Sequence, residues 1–113
     1  MKTYNFAILG CGVISKTHAL AIDSIENATL VGVADNNVEY ARSFAQKNGV
    51  KAYENYQELL QDESVDVVCI CTPSGFHASN AIDALNAGKH VVLVFPFWES
   101  MDFSLSSWDI FSP

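Results

Sequence analysis

The chain has 113 residues, half of them hydrophobic and 17% charged, which is the composition of one small globular domain rather than of a disordered segment. A chain of this size buries roughly two-thirds of the surface its unfolded form exposes. Thirteen acidic against six basic residues give a net charge of -7, which argues against nucleic acid and against an anionic membrane surface as partners.

Residues 1–5 carry no apolar run after Lys2, so no signal peptide is expected, and no apolar stretch approaches membrane-spanning length. The three cysteines, Cys11, Cys69 and Cys71, are an odd number, and the last two sit inside an apolar run. They read as reduced and buried, in a cytoplasmic protein.

In chain order, "YNFAILG" (4–10) is a short apolar run ending in glycine, a buried strand. Ile14, His18, Ala21, Ile22 and Ile25 then fall at helical spacing and predict one apolar helix face. "ATLVGVAD" (28–35) is a second buried strand. "NNVEYARSFAQKNG" (36–49) is a helix with Asn36 and Glu39 at capping-box spacing and Gly49 as its stop. "KAY" (51–53) is a short third strand, and Asn55 with Glu58 opens the helix "YQELLQD" (56–62). "VDVVCICT" (65–72) is a fourth strand. Ala78, Ala81, Ile82 and Leu85 mark a further helix stopped by Gly88, and "HVVLV" (90–94) is a fifth strand. Strict alternation predicts parallel pairing through right-handed crossovers, and strands this apolar suit a sheet covered on both faces. The expected fold is a single doubly wound, Rossmann-type α/β domain with strand order 3-2-1-4-5.

The first strand runs into "GCGVIS" (10–15). Gly10 allows a tight turn, Gly12 lets the backbone approach a pyrophosphate, and Ser15 is small enough for helix and strand to pack. The following helix would aim its positive end at the phosphates. Asp35 closes the second strand twenty residues after Ser15, where a carboxylate accepts hydrogen bonds from an adenosine ribose. A 2′-phosphate there would meet like charge, at a cost of roughly 1 to 4 kcal/mol. The residues after Asp35 are Asn36 and Asn37, so NAD is favoured over NADP. "CTPSGFHA" (71–78) leaves the carboxyl end of the fourth strand, where open parallel sheets bind ligands, so Thr72 and Pro73 would lie beside the cofactor and His77 would begin the next helix.

Together, "FAILGCGVISKTHA", "VGVAD", "CTPSGFHA" and "AGKHV" resemble the glucose–fructose oxidoreductase and inositol dehydrogenase (Gfo/Idh/MocA) family, over residues 4 to about 93. The resemblance implies an NAD(P)-dependent oxidoreductase of sugars, polyols and their derivatives. By position it makes Gly10, Gly12, Val13 and Ile14 the phosphate loop and Asp35 the ribose acid. Thr72, Pro73 and His77 become the loop near the nicotinamide. Each histidine has a plainer reading as well: His18 as a core residue, His90 as structural, and His77 as a helix cap.

The family's fifth strand leads into Glu-Lys-Pro, and the lysine serves in proton transfer or positioning. Here Val94 and Phe95 take the first two places before Pro96, and no lysine follows position 89. Neither side chain titrates or donates a hydrogen bond. No catalytic residue is therefore assigned, and residues 1–96 are taken as the dinucleotide-binding domain. Residues 97–113 read as an aromatic, serine-rich tail in place of the family's substrate domain, a sign of a truncated, frameshifted or degenerate product. Its aromatics are expected to cover a sheet face or edge, within one chain or across a homodimer. Three functions follow: part of an oxidoreductase, a non-catalytic NAD-binding module, or a residual protein that keeps only the fold.

Overall fold

The computed structural model describes residues 2–10, 13–72, 77–94 and 108–111. The elements are β1 (Tyr4–Leu9), α1 (Val13–Asp23), β2 (Ala28–Ala34), α2 (Val38–Asn48), β3 (Lys51–Ala52), α3 (Tyr56–Gln61), β4 (Val67–Ile70), α4 (His77–Asn86), β5 (His90–Val94) and β6 (Trp108–Phe111). The sheet order is β3-β2-β1-β4-β5-β6. β1 pairs in parallel with β2 and β4, β2 with β3, and β4 with β5. This is the expected doubly wound order. Beyond it, β6 adds an antiparallel strand to β5, with Val91 opposite Phe111 and Val94 opposite Trp108. The residue pattern of 97–113 does not predict this strand.

Alternate strand residues feed two cores, one on each face of the sheet. Ala7, Leu9, Val68, Ile70, Val91 and Leu93 face Leu59, Ala81 and Ala84, from α3 and α4. Ile8, Val33, Cys69 and Val92 face Ala19, Ile22, Ala41 and Phe44, from α1 and α2. Two helices on each face explain why the central strands lack polar alternation.

Two helix faces differ from the periodicity. Among the α1 residues whose burial is described, His18, Ala19 and Ile22 are buried, while Ile25 lies past the helix end and is 48% exposed. In α4, Ala81 and Ala84 are buried and Ile82 is 57% exposed. Small residues let each helix sit close on the sheet, so the packed stripe runs through alanines. One cap also moves. Asn37, not Asn36, caps α2, its side chain accepting from the backbone N–H groups of Glu39 and Tyr40. The cause is Asp35, whose Oδ1 accepts the Asn37 N–H at 2.8 Å and shifts the helix start by one residue. Asn55 caps α3 as its spacing predicts, accepting from Glu58 N–H at 2.8 Å. Gly49 ends α2 at φ 66°.

Two long-range contacts lock the region of β3, α3 and β4. Tyr53 is buried, and a Cβ on Gly32 of β2 would lie 2.4 Å from its Cε2 atom, so only glycine leaves room for the ring. Its hydroxyl donates to Asp62 Oδ2 at 2.6 Å. Lys89 is buried as well, its Nζ donating to the carbonyls of Asp62 and Val65 at 2.7 and 2.8 Å. An ammonium taken out of water is tolerated because these carbonyls replace its hydration.

Candidate functional site: the carboxyl edge of β1, β2 and β4

β1 lies where the strand order reverses, with β2 and β3 on one side and β4 and β5 on the other. At such a switch point the loops leaving the strands diverge and open a crevice. Gly10 leaves β1 at φ 96°, a region that L side chains avoid. Its N–H donates to Ala34 O at 2.7 Å, and the Cys71 N–H donates to Leu9 O at 2.7 Å. The turn is thus tied to the ends of both β2 and β4. A Cβ on Gly10 would lie 2.8 Å from Cys71 C and 2.8 Å from Thr72 N, inside van der Waals contact with main chain that has nowhere to go. Glycine is required here by a close backbone approach as well as by the dihedral.

Ala34 leads directly into Asp35, and Cys71 into Thr72, so Gly10, Asp35 and Thr72 converge on one edge of the sheet. Asp35 is half-buried. The Asn37 N–H donates to its Oδ1 at 2.8 Å and orients the carboxylate at the end of β2. Thr72 is half-buried, and its hydroxyl donates to Asn80 Oδ1 on α4 at 2.8 Å. Val13 and Ile14 open α1, and His77 opens α4, so both helices begin at this edge. Gly12 and Pro73 lie outside the described residues, as does Phe95.

The remaining candidates have structural places. His18 is buried on the sheet side of α1, and burial lowers its pKa, which keeps the ring neutral. His90 opens β5, its N–H donating to Asp66 O at 3.0 Å. The Cys69 thiol is buried and pushed up to about 12 by desolvation, so it is no nucleophile at neutral pH. Among the described residues, no cluster of three His, Cys, Asp or Glu side chains could hold a metal ion. No described helix is long and apolar enough to cross a membrane. An open groove of about 340 Å³ between α3 and α4 is lined by Tyr56, Gln57, Leu60, Gln61, Asp83 and Ala87. It has no glycine turn or strand end, so the strand-edge crevice is the better place for a dinucleotide.

Sequence reasoning misses Asn80, which lies on the polar side of α4 and carries no motif. Its position one turn into the helix, beside a strand-end threonine, is the signal that identifies it in three dimensions.

Comparison with known proteins agrees with this geometry. Residues 4–103 match the Gfo/Idh/MocA group, described as an oxidoreductase family with an NAD-binding Rossmann fold. The chain is 37% identical over 95 residues to glucose-6-phosphate 3-dehydrogenase of Bacillus subtilis, covering 84% of this chain and 27% of that enzyme. It is 34% identical over 85 residues to myo-inositol 2-dehydrogenase of Thermotoga maritima, covering 74% of this chain and 25% of that enzyme. The crystal structure of an NAD-binding protein from Listeria innocua superposes with a TM-score of 0.79 and 42% identity, over 84% of this chain and 28% of that one. The chain therefore spans little more than a quarter of the length of these relatives. With the switch-point edge, the Gly10 turn and the sequence match in agreement, the chain belongs to the Gfo/Idh/MocA oxidoreductase family and is an NAD(P)-binding Rossmann domain of it.

Proposed function

We propose that these 113 residues are the dinucleotide-binding part of an oxidoreductase of sugar- or polyol-type substrates, and that on their own they bind the dinucleotide without turnover. The observation that carries the reading is the Gly10 turn, lodged against Cys71 and Thr72 with Asp35 one residue beyond its Ala34 partner. In this reading Gly10, Gly12, Val13 and Ile14 receive the pyrophosphate at the start of α1, where unpaired N–H groups and the helix dipole favour an anion. Asp35 accepts the adenosine ribose hydroxyls. Thr72, Pro73 and His77 border the nicotinamide half.

NAD is the preferred cofactor. Asp35 would repel a 2′-phosphate by roughly 1 to 4 kcal/mol. The arginine of α2 is already engaged, Arg42 bonding Glu39 and Glu54 at 3.1 Å each. Their two carboxylates hold the guanidinium pKa above its ordinary value.

Binding without turnover rests on position 95. The family's proton-handling lysine aligns with Phe95, and general acid–base assistance is typically worth 10² to 10⁴-fold. The test is hydride transfer between the nicotinamide and a panel of sugars and polyols, followed by reduced-nicotinamide absorbance. Turnover by the purified chain would overturn this part of the reading. A non-catalytic NAD-binding module is the second reading, and the same absent lysine favours it. Buried, reduced Cys69 supports a cytoplasmic setting. A homodimer through the tail is supported by β6 standing at the end of the sheet, since an edge strand offers main-chain groups to another chain. A concentration-independent monomer in sedimentation would exclude it.

A further inference from the structure

Of the chain's asparagines, only Asn48 is followed by glycine. Such a pair is prone to a reaction of its own main chain. The nitrogen of the second residue attacks the side-chain carbonyl carbon of the first and closes a cyclic imide, and glycine has no side chain to obstruct the approach. Both residues are exposed, and even an added Cβ on Gly49 would meet nothing within 4 Å. Water therefore reaches this junction freely.

The fold holds the reacting atoms apart. Asn48 is the last residue of α2, and in a helix each Cα–Cβ bond tilts toward the N-terminus. The side-chain amide accordingly reaches back, its Nδ2 donating to Phe44 O at 2.9 Å. The Gly49 nitrogen lies toward the C-terminus, its N–H committed to Ala45 O. The Val50 N–H donates to the same carbonyl at 3.0 Å, and Gly49 at φ 66° closes a left-handed cap. The imide can close only when this last turn opens and both the Nδ2 and the Gly49 N–H bonds are released.

We propose that Asn48 is a site of spontaneous deamidation, gated by the left-handed cap of α2. In the opened turn the Gly49 nitrogen gives its proton to hydroxide and bonds to Asn48 Cγ. The bond from Cγ to Nδ2 breaks, and Nδ2 takes a proton from water and leaves as ammonia. A second water then cleaves the imide at either carbonyl, leaving an aspartyl or an isoaspartyl residue at position 48 with no change in oxidation state. Both products put negative charge at the C-terminal end of α2, where the helix dipole is already negative. The isoaspartyl form also adds a methylene to the main chain ahead of Val50, which packs against the core just before β3.

The test incubates the full chain at one mildly alkaline pH, with and without enough urea to unfold it. Peptide mapping by mass spectrometry follows the conversion of amide to acid at each asparagine. In urea, Asn48 is expected to convert before any other. In the folded chain the same conversion is expected to run about ten- to a hundred-fold slower, the worth of the two hydrogen bonds that must open. The products, separated from the unmodified chain by their added charge, are expected to unfold at lower urea than it does. Another asparagine converting first in urea, or no conversion there at Asn48, would overturn the site. A rate in the folded chain that equals or exceeds the rate in urea would overturn the gating. Products that unfold at the same urea as the unmodified chain would overturn the link between position 48 and the cap.

Discussion

Replacing Gly10 with alanine separates two physical demands that the turn makes at once. The first is conformational: Gly10 sits at φ 96°, and an L side chain at positive φ costs about 1–2 kcal/mol. The second is steric. The new Cβ would lie 2.8 Å from both Cys71 C and Thr72 N, where ordinary contact is 3.4–4 Å. Those atoms are main chain, pinned by the Cys71 N–H to Leu9 O bond at 2.7 Å, and a close-packed interior passes the strain on rather than absorbing it. Overpacking of this kind adds about 1–3 kcal/mol, for a total of about 2–5 kcal/mol. Gly49 supplies the control: at φ 66° a Cβ there would meet nothing within 4 Å, so Gly49→Ala carries the conformational part alone. Urea denaturation of both variants at neutral pH is expected to show Gly10→Ala less stable than Gly49→Ala by about 1–3 kcal/mol. Equal losses would mean that the loop relaxes freely and that the close approach of β1 to β4 is not required.

Other expectations follow from the same contacts. Lys89→Met leaves the carbonyls of Asp62 and Val65 without their donor, and is expected to cost about 1–3 kcal/mol in denaturant melts; a change within error would show that water replaces the ammonium. The Ser64 side chain, with Tyr53 and the Ser64 backbone, holds the Asp62 carboxyl at about 2 instead of 3.8. A carboxyl depressed in the folded state contributes stability above its unfolded pKa, so this contribution is present from about pH 5 upward and is lost between about pH 4 and pH 2. Solvent screening limits it to about 1 kcal/mol or less, and Tyr53→Phe is expected to flatten that part of the acid melt; an unchanged profile would remove the Tyr53 bond from the account. Asp35→Ser is expected to weaken NAD⁺ about ten-fold, by loss of charge-assisted bonds, and to narrow the gap to NADP⁺ in competition titrations. An unaltered preference between the two would show that Asp35 does not set it.

Much of the fold is legible from the residues. β1, β2, β4 and β5 are apolar runs separated by helical patterns, and that alternation admits few folds. Gly10 and Asp35 are legible because each ends a strand at a spacing that dinucleotide chemistry imposes. The α2 cap falls one residue later than its pattern predicts because Asp35, reaching forward to the Asn37 N–H, is a competing local acceptor that a capping-box pattern does not register. The packed faces of α1 and α4 differ from the periodicity because Ala19 and Ala84 carry little hydrophobic signal, while Ile25 and Ile82 carry much and remain exposed. Gly32 beneath Tyr53, Lys89 on the carbonyls of the α3–β4 connection, and Asn80 beside Thr72 all depend on contacts between distant elements. No local period reports such contacts. β6 escapes the pattern for the same reason, since it pairs with β5.

The central claim is that the Gly10–Asp35–Thr72 edge holds a dinucleotide, and titration calorimetry of the purified chain with NAD⁺ and then NADP⁺ at moderate salt tests it most directly. Micromolar to sub-millimolar NAD⁺ binding is predicted, tighter than NADP⁺ and lost in Gly12→Val. A folded chain that takes up neither nucleotide would contradict it.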